Sequence, residues 1–212
     1  MVAAVLDHLV VAAATLEQGE DYVESLLGVG PRRGGKHVAM GTHNSLLRLG
    51  PKIYLEVIAV DPDAAAPQRP RWFGLDSARM RAELQDGPRL LHWVARTEDI
   101  DAARRAYRGD AGEVHVMTRG DFEWRMTIPA NGELPGGGVL PTLIQWKDER
   151  HPTDAMPDVG VRLAALGGAH PEPAAIRSVL AALLLADAIK ITFAAKPRLA
   201  AMLQTGHGPV AL

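Results

Sequence analysis

Apolar residues along the chain fall into short runs of strand composition, and each third of the sequence also holds an amphipathic segment. The first run, "AVLDHLVVAA", predicts a strand, and "TLEQGEDYVESLLGVG" after it predicts a helix. Thr15 is the expected N-cap of that helix, and Gly28 is expected to end it. Three more strands are expected around "KHVAM", "NSLLRLG" and "KIYLEVIAV". Residues 1–62 therefore follow the order β-α-β-β-β.

The same order returns after a connector rich in proline and charge, residues 63–86, which is expected to contain one short helix. In residues 87–148, "LLHWVART" predicts a strand, "EDIDAARRAY" a helix, and three strands follow. Residues 149–212 form a looser C-terminal β-α-β-β extension without a histidine in the body of its first strand, so it is interpreted as scaffold. Element order, more than sequence identity, indicates a repeat within a single domain of residues 1–212.

Composition excludes several classes of function. The chain has 212 residues, 23% of them charged, with a net charge of -2, and this gives no electrostatic footprint for nucleic acid or an anionic membrane. The N-terminal residues show neither a basic leader nor a long apolar stretch, so a cytoplasmic protein is expected. Because there is no cysteine, any metal must be held by nitrogen and oxygen donors.

Four polar residues occupy equivalent places in the two repeated units. His8 and His92 lie on the first strand of each unit, and Glu56 and Gln145 lie on the last strand. Strand alternation predicts that Glu56 shares a face with Tyr54 and Ile58. Two imidazoles, one carboxylate and one amide are a sensible donor set for a divalent metal.

Each of these residues also has a purely structural interpretation. A single histidine on an apolar strand is usually a hydrogen-bonded core residue. Glu56 could form an ion pair with an arginine, and Gln145 could cross-link backbone groups. The recurrence at equivalent positions favours a polar site between the two units.

The paired β-α-β-β-β units, with polar residues on their first and last strands, resemble the vicinal oxygen chelate superfamily, which includes glyoxalase I and the extradiol dioxygenases. The segments "LDHLVVAA", "GGKHVAMGTHNSLLRLGPKIYLEVIAVDP" and "LIQWKDERHP" are similar to its glyoxalase-like domain group. The resemblance implies an α+β fold in which paired βαβββ modules form an open curved sheet around a central cleft. It also implies that His8, Glu56, His92 and Gln145 are the metal ligands, with the glutamine a departure from the more usual carboxylate.

A second polar region, "GGKHVAMGTHN", is interpreted through the same resemblance as a substrate-contacting loop. In that interpretation His37 acts with Glu56 in catalysis, and Thr42 and Asn44 bind substrate. The alternative is a hairpin whose polar side chains are solvated. Trp146, next to Gln145, is expected to point away from the cleft by strand alternation.

These features give three hypotheses about function. The first is a metal-dependent lyase or isomerase that chelates a small oxygenated substrate on a divalent ion, Ni, Zn, Mn or Fe, with Glu56 as ligand or base. The second is a non-haem iron(II) dioxygenase that uses His8, His92 and Glu56 as a facial triad. The third is a metal-free protein that binds a small molecule in the same cleft. The expected partner is a small-molecule substrate, and the resemblance also implies a possible homodimer.

Overall fold

The computed structural model describes residues 3–212, so the first two residues of the predicted first unit lie outside it. The strands are β1 (Ala4–Ala12), β2 (Arg32–His37), β3 (Thr42–Gly50), β4 (Ile53–Val60), β5 (Arg89–Thr97), β6 (Glu113–Arg119), β7 (Phe122–Ile128), β8 (Thr142–Trp146), β9 (Arg162–His170), β10 (Lys190–Phe193), β11 (Arg198–Thr205) and β12 (Gly208–Ala211). The helices are α1 (Leu16–Leu27), α2 (Ala78–Gln85), α3 (Ile100–Ala106) and α4 (Pro173–Ala182). None of these helices is long and apolar enough to cross a membrane.

Local signals in the sequence set the ends of α1. The Thr15 side chain accepts a hydrogen bond from the Gln18 backbone N–H at 3.2 Å, as an N-cap does. Gly28 adopts a left-handed conformation with φ of 72° and donates its N–H to the Glu24 carbonyl. Both predicted helix boundaries are confirmed. The strand expected at "KHVAM" is displaced, because β2 ends at His37 and a 3-10 turn follows.

Eight strands form one curled sheet in the order β2-β3-β4-β1-β5-β8-β7-β6, which joins the two repeated units through the antiparallel pair β1–β5. In this pair His8 lies opposite Val94. Val10, two residues further along β1, lies opposite His92. A two-fold rotation exchanges these two pairs, so His8 and His92 hold equivalent positions in the two units.

The sheet buries both of its faces. On the convex face Leu9, Leu55 and Trp93 are fully buried in a core that also includes residues of α1, α3 and the C-terminal unit. That unit adds a second sheet in the order β10-β9-β11-β12. On the concave face Val10 and Val94 belong to a separate cluster that includes Trp72, Trp124 and four methionines. Because β1 and β5 are buried on both sides, their sequences are nearly continuous apolar runs.

The central strand β1 offers a matched test of this packing. We expect Leu9→Ala to lower the free energy of unfolding by about 2–5 kcal/mol, because Leu9 is fully buried and the truncation leaves a cavity. Val5 lies on the same strand but is 48% exposed, so Val5→Ala should change stability by less than about 1 kcal/mol. Urea unfolding of the two variants measures this difference, and equal effects would contradict the burial of Leu9 and the exposure of Val5.

Candidate functional site

A small cavity of about 20 Å³ lies on the concave face between the two units. It has room for about one water molecule. Its wall contains both apolar and ionisable side chains, namely His8, His37, Tyr54, Glu56, Trp72, Phe73, Arg119, Trp124, Met126, Ile144 and Trp146. The predicted site residues His8, His37 and Glu56 are therefore brought together, whereas the other predicted ones are not in this wall.

Glu56 is the centre of the polar groups in the cavity. Its carboxylate is buried, with 5% of the residue exposed, and Oε1 accepts a hydrogen bond of 2.6 Å from Asn44 Nδ2. Oε2 lies 3.6 Å from His8 Nε2, and Oε1 lies 3.9 Å from His37 Nε2. The alternation predicted for β4 is confirmed, since Tyr54 and Glu56 line the cavity together and Ile58 belongs to the same concave cluster.

Thr42 and Asn44, predicted to bind substrate, form a buried layer behind the cavity wall. The "GGKHVAMGTHN" segment is a paired hairpin of β2 and β3 with a 3-10 turn between the strands, and His37, Thr42 and Asn44 are buried while Lys36 is exposed. Thr42 Oγ1 lies 3.1 Å from His37 Nδ1, and Asn44 Nδ2 lies 3.4 Å from His37 Nε2. Burial holds the pKa of His37 well below its usual range, so this imidazole is neutral near pH 7. Thr42 and Asn44 thus position His37 and Glu56.

Gly34 allows Asn44 to reach the carboxylate. A Cβ atom at Gly34 would lie 2.3 Å from Asn44 Oδ1, which is too close for any side chain to fit without a shift. The Asn44 amide is fixed at both ends, because Oδ1 accepts the Gly35 backbone N–H at 3.0 Å while Nδ2 donates to Glu56. The absence of a side chain at Gly34 therefore helps to place Asn44 against the Glu56 carboxylate.

Asp7 belongs to the same polar cluster, and the sequence analysis missed it. The β1–β5 register shifts between Leu6 and His8, so Asp7 is the extra residue of a β-bulge. Its Oδ1 accepts from His8 Nδ1 at 2.6 Å, and its Oδ2 lies 3.2 Å from His151 Nε2 and accepts from Trp146 Nε1 at 2.9 Å. Burial alone would raise the pKa of Asp7, but the hydrogen bonds with His151 and His8 outweigh it and hold this pKa far below its usual value. The ionised Asp7 therefore orients His8 with Nε2 towards Glu56.

The ring nitrogens of His92 form hydrogen bonds within the second unit, and the residue lies outside the cavity wall. Its Nε2 accepts the Thr142 backbone N–H at 3.1 Å and lies 2.9 Å from Thr142 Oγ1. Because Nε2 is an acceptor, Nδ1 carries the proton and donates to the Gly138 carbonyl at 3.2 Å. The Phe73 ring packs against the imidazole at 5.1 Å. His92 is therefore a hydrogen-bonded core histidine.

Gln145 lies on the opposite face of the sheet from Glu56, which corrects its predicted place in the cleft. Its amide accepts the Ile100 backbone N–H at 3.1 Å and donates to the Glu98 carbonyl at 2.7 Å, so it cross-links backbone groups at the start of α3. Trp146 lines the cavity instead. Glu56 pairs with Val10, and Thr142 pairs with Val94, the equivalent of Val10. Thr142 is therefore the counterpart of Glu56, three residues before Gln145.

The four predicted ligands do not fit a metal centre in this arrangement. The Nε2 lone pair of His92 is used by a backbone N–H, and Gln145 is on the other face of the sheet. The same use of Nε2 removes His92 from an iron(II) facial triad with His8 and Glu56. Across residues 3–212 no three histidine or carboxylate side chains are grouped to hold a metal ion.

The cavity wall contains two buried donors without partners. The indole N–H groups of Trp72 and Trp124 find no hydrogen-bond acceptor within residues 3–212, although both side chains are only 4% exposed. Buried donors in native proteins are nearly always paired. Trp72 comes from the connector and Trp124 from β7, and no pattern in the sequence places them beside Glu56.

The buried imidazole of His92 predicts a loss of stability at low pH. Burial lowers its pKa to about 3 from 6.5, so between these values the unfolded chain binds a proton that the folded chain does not. Stability must then fall as pH decreases below about 6.5, by about 2 kcal/mol between pH 7.5 and 5 from His92 alone. Urea unfolding of His92→Gln should show a pH dependence smaller by that amount. An unchanged dependence would contradict the assignment.

Comparisons with known proteins agree with this architecture. The model of the glyoxalase-like domain family matches residues 6–184. A solved structure of a hypothetical protein from Staphylococcus aureus has a TM-score of 0.63 at 14% identity and covers 92% of this chain and 88% of that chain. Methylmalonyl-CoA epimerase from Mycobacterium tuberculosis has a TM-score of 0.41 at 18% identity, covering 66% of this chain and 85% of its own.

A variant of the Streptomyces coelicolor methylmalonyl-CoA epimerase, solved with 2-nitronate-propionyl-CoA, has a TM-score of 0.44 at 16% identity and covers 70% of this chain and 100% of its own. No curated protein matches the chain. The family match extends over both repeated units and into the C-terminal unit, and the curled sheet has the expected topology. The chain therefore belongs to the glyoxalase-like domain family.

Proposed function

We propose that this protein is a proton-transfer enzyme, an isomerase or lyase, that acts on a small molecule at a carbon next to a carbonyl group. The observation that carries the proposal is the buried Glu56 carboxylate in one cavity with the unpartnered indole N–H groups of Trp72 and Trp124. A base and two free donors are what the removal of such a proton requires. The family membership is consistent with this class of reaction.

Glu56 is the proposed base. In the first step its carboxylate takes the proton, and the electron pair of the broken C–H bond moves onto the carbonyl oxygen to give an enolate. His37 is a poorer base because burial keeps its pKa well below the usual range. Its role is to hold Asn44, whose amide donates to Glu56 Oε1. The Asn44 hydrogen bond also directs Glu56 Oε2 towards His8 and the cavity.

The indole donors are proposed to stabilise the negative charge that develops on the carbonyl oxygen. Trp72 and Trp124 are held rigidly, since His37 packs edge-on against both rings at 5.0 and 6.0 Å. Donors that are already in place and already desolvated favour the enolate without reorganising. The surrounding apolar wall keeps water out, which strengthens these interactions.

His8 is the proposed partner that completes the proton transfer. Its Nε2 is 3.6 Å from Glu56 Oε2, and Asp7 holds its other ring nitrogen. The protonated Glu56 or His8 returns the proton to the neighbouring carbon or oxygen, which gives an isomer. Where the substrate has a leaving group beside the enolate, its loss gives a lyase reaction with the same base.

Glu56→Gln tests the base. Small 2-oxo and 2-hydroxycarbonyl compounds incubated in D₂O with the protein should exchange the proton next to the carbonyl, as followed by NMR. The variant should slow this exchange by about 100-fold or more, because the amide cannot accept the proton. The exposed Glu24→Gln on α1 is the matched control and should exchange at the parent rate. Exchange by Glu56→Gln at the parent rate would contradict the proposal.

Asp7→Asn tests the positioning of His8. The asparagine cannot accept hydrogen bonds from His8, His151 and Trp146 together, so the tautomer and the orientation of the His8 ring are no longer fixed. We expect the maximal exchange rate to fall by about tenfold or more, the pH profile to shift, and KM to change little. Asp148→Asn, at an exposed ion pair with Arg150, is the control. A change in KM alone, with the pH profile preserved, would contradict this role.

A further inference from the structure

A groove of about 420 Å³ opens on the outer side of the cavity wall. It lies between β2 and the turn that joins β6 to β7, where the two edge strands of the curled sheet approach each other. Its size is within the range of ligand-binding clefts. Arg119, the last residue of β6, lines both this groove and the cavity that contains Glu56. The groove is therefore adjacent to the proposed reaction site through one side chain.

Arg119 is a buried cation without an anionic partner. Only 9% of the residue is exposed. Its side chain forms no hydrogen bond and no ion pair with any of residues 3–212. Its guanidinium is near the rings of Phe122 and Trp124, at 5.9 and 6.0 Å from their centroids. Aromatic faces compensate a buried charge only in part, and a guanidinium binds carboxylate or phosphate oxygens in a two-pronged geometry.

The backbone of β2 leaves space for the Arg119 side chain. A Cβ atom at Gly35 would lie 3.0 Å from Arg119 Cγ and 3.2 Å from its Cδ, so glycine at this position leaves room for the arginine stem. The adjacent Gly34 gives Asn44 the same kind of room. The two glycines of the "GGKHV" segment thus position one residue at the proposed base and one residue at the groove.

The other charges of the groove leave a net positive site. Arg33 is held by Glu17 and Glu20, and Lys36 is held by Asp61 at 2.8 Å. Arg32 is exposed and has no ion pair within the described part of the chain. Asp121 is the one carboxylate in the lining. Arg119 and Arg32 are therefore the cations available to a ligand.

We propose that this groove binds an anionic tail of the substrate, a carboxylate or a phosphate, with Arg119 as its anchor. This inference rests on the proposed function and adds the class of substrate. The cavity of about 20 Å³ has room for one small group, such as the carbonyl oxygen, whereas the groove has room for a larger part of the molecule. Arg119, which lines both spaces, fixes the distance between the anionic group and the carbon presented to Glu56.

Calorimetric titration with inorganic phosphate and, separately, with propionate in a buffer free of both tests the anchor. We expect saturable binding of at least one anion, which also distinguishes the two chemistries. Arg119→Gln should weaken it at least tenfold, and Gly35→Ala should weaken it without any change of charge. Arg81→Gln removes an exposed charge on α2 and should bind as the parent does. Thermal unfolding establishes that each variant is folded, and Arg119→Lys replaces Arg119→Gln if that variant is not.

The result separates this inference from the proposed function. Glu56→Gln should keep the anion affinity of the parent while it loses proton exchange. If the anion binds but neither the parent nor any variant exchanges the proton, the role of Arg119 as the anchor is retained and the cleft is a binding pocket. Failure of both anions to bind, or equal affinity in the parent and in the folded Arg119 variant, would overturn the proposal.

Discussion

The Glu56 carboxylate, buried between the two repeated units, is the constraint on which the surrounding structure depends. A carboxylate removed from water costs several kcal/mol unless hydrogen bonds or charges compensate it. Here the compensation comes from Asn44, which is itself fixed by the Gly35 backbone, and from the nearby His8 and His37. Gly34, the buried Asn44 and the bulge that directs Asp7 onto His8 all contribute to the placement of this one charge.

The two units share a backbone arrangement but not a chemistry. The β1–β5 register makes His8 and His92 equivalent, and the pairing of β4 and β8 makes Glu56 and Thr142 equivalent. In the second unit the Thr142 backbone N–H donates a hydrogen bond to His92 Nε2, so this ring nitrogen is already occupied. In the first unit the longer carboxylate stays in the cavity beside His8. The first half therefore contributes the Glu56 carboxylate and His8 to the cavity, and the second half contributes Trp124 and Arg119.

The element order, the α1 caps and the face of Glu56 could be predicted because each depends on local sequence. The face of Gln145 could not, because β8 is short and its apolar residues lie on both sides: Leu143 faces the convex core and Ile144 faces the cavity. A slip of one residue exchanges the two faces of a strand. The roles of Asp7, Trp72 and Arg119 depend on a bulge, a connector and the approach of two sheet edges, which are contacts that no sequence spacing encodes.

Burial has different consequences for the polar groups on the two sides of the cavity wall. Inside, the side chains are buried, so the neutral His37 and the free indole donors would affect a bound oxygen strongly. At the groove, the Arg119 guanidinium has no carboxylate within ion-pair distance among residues 3–212. An anion that pairs with it would form charge-assisted hydrogen bonds. Binding energy gained at the groove would then hold the substrate against Glu56, beside a cavity too small to bind it tightly by itself.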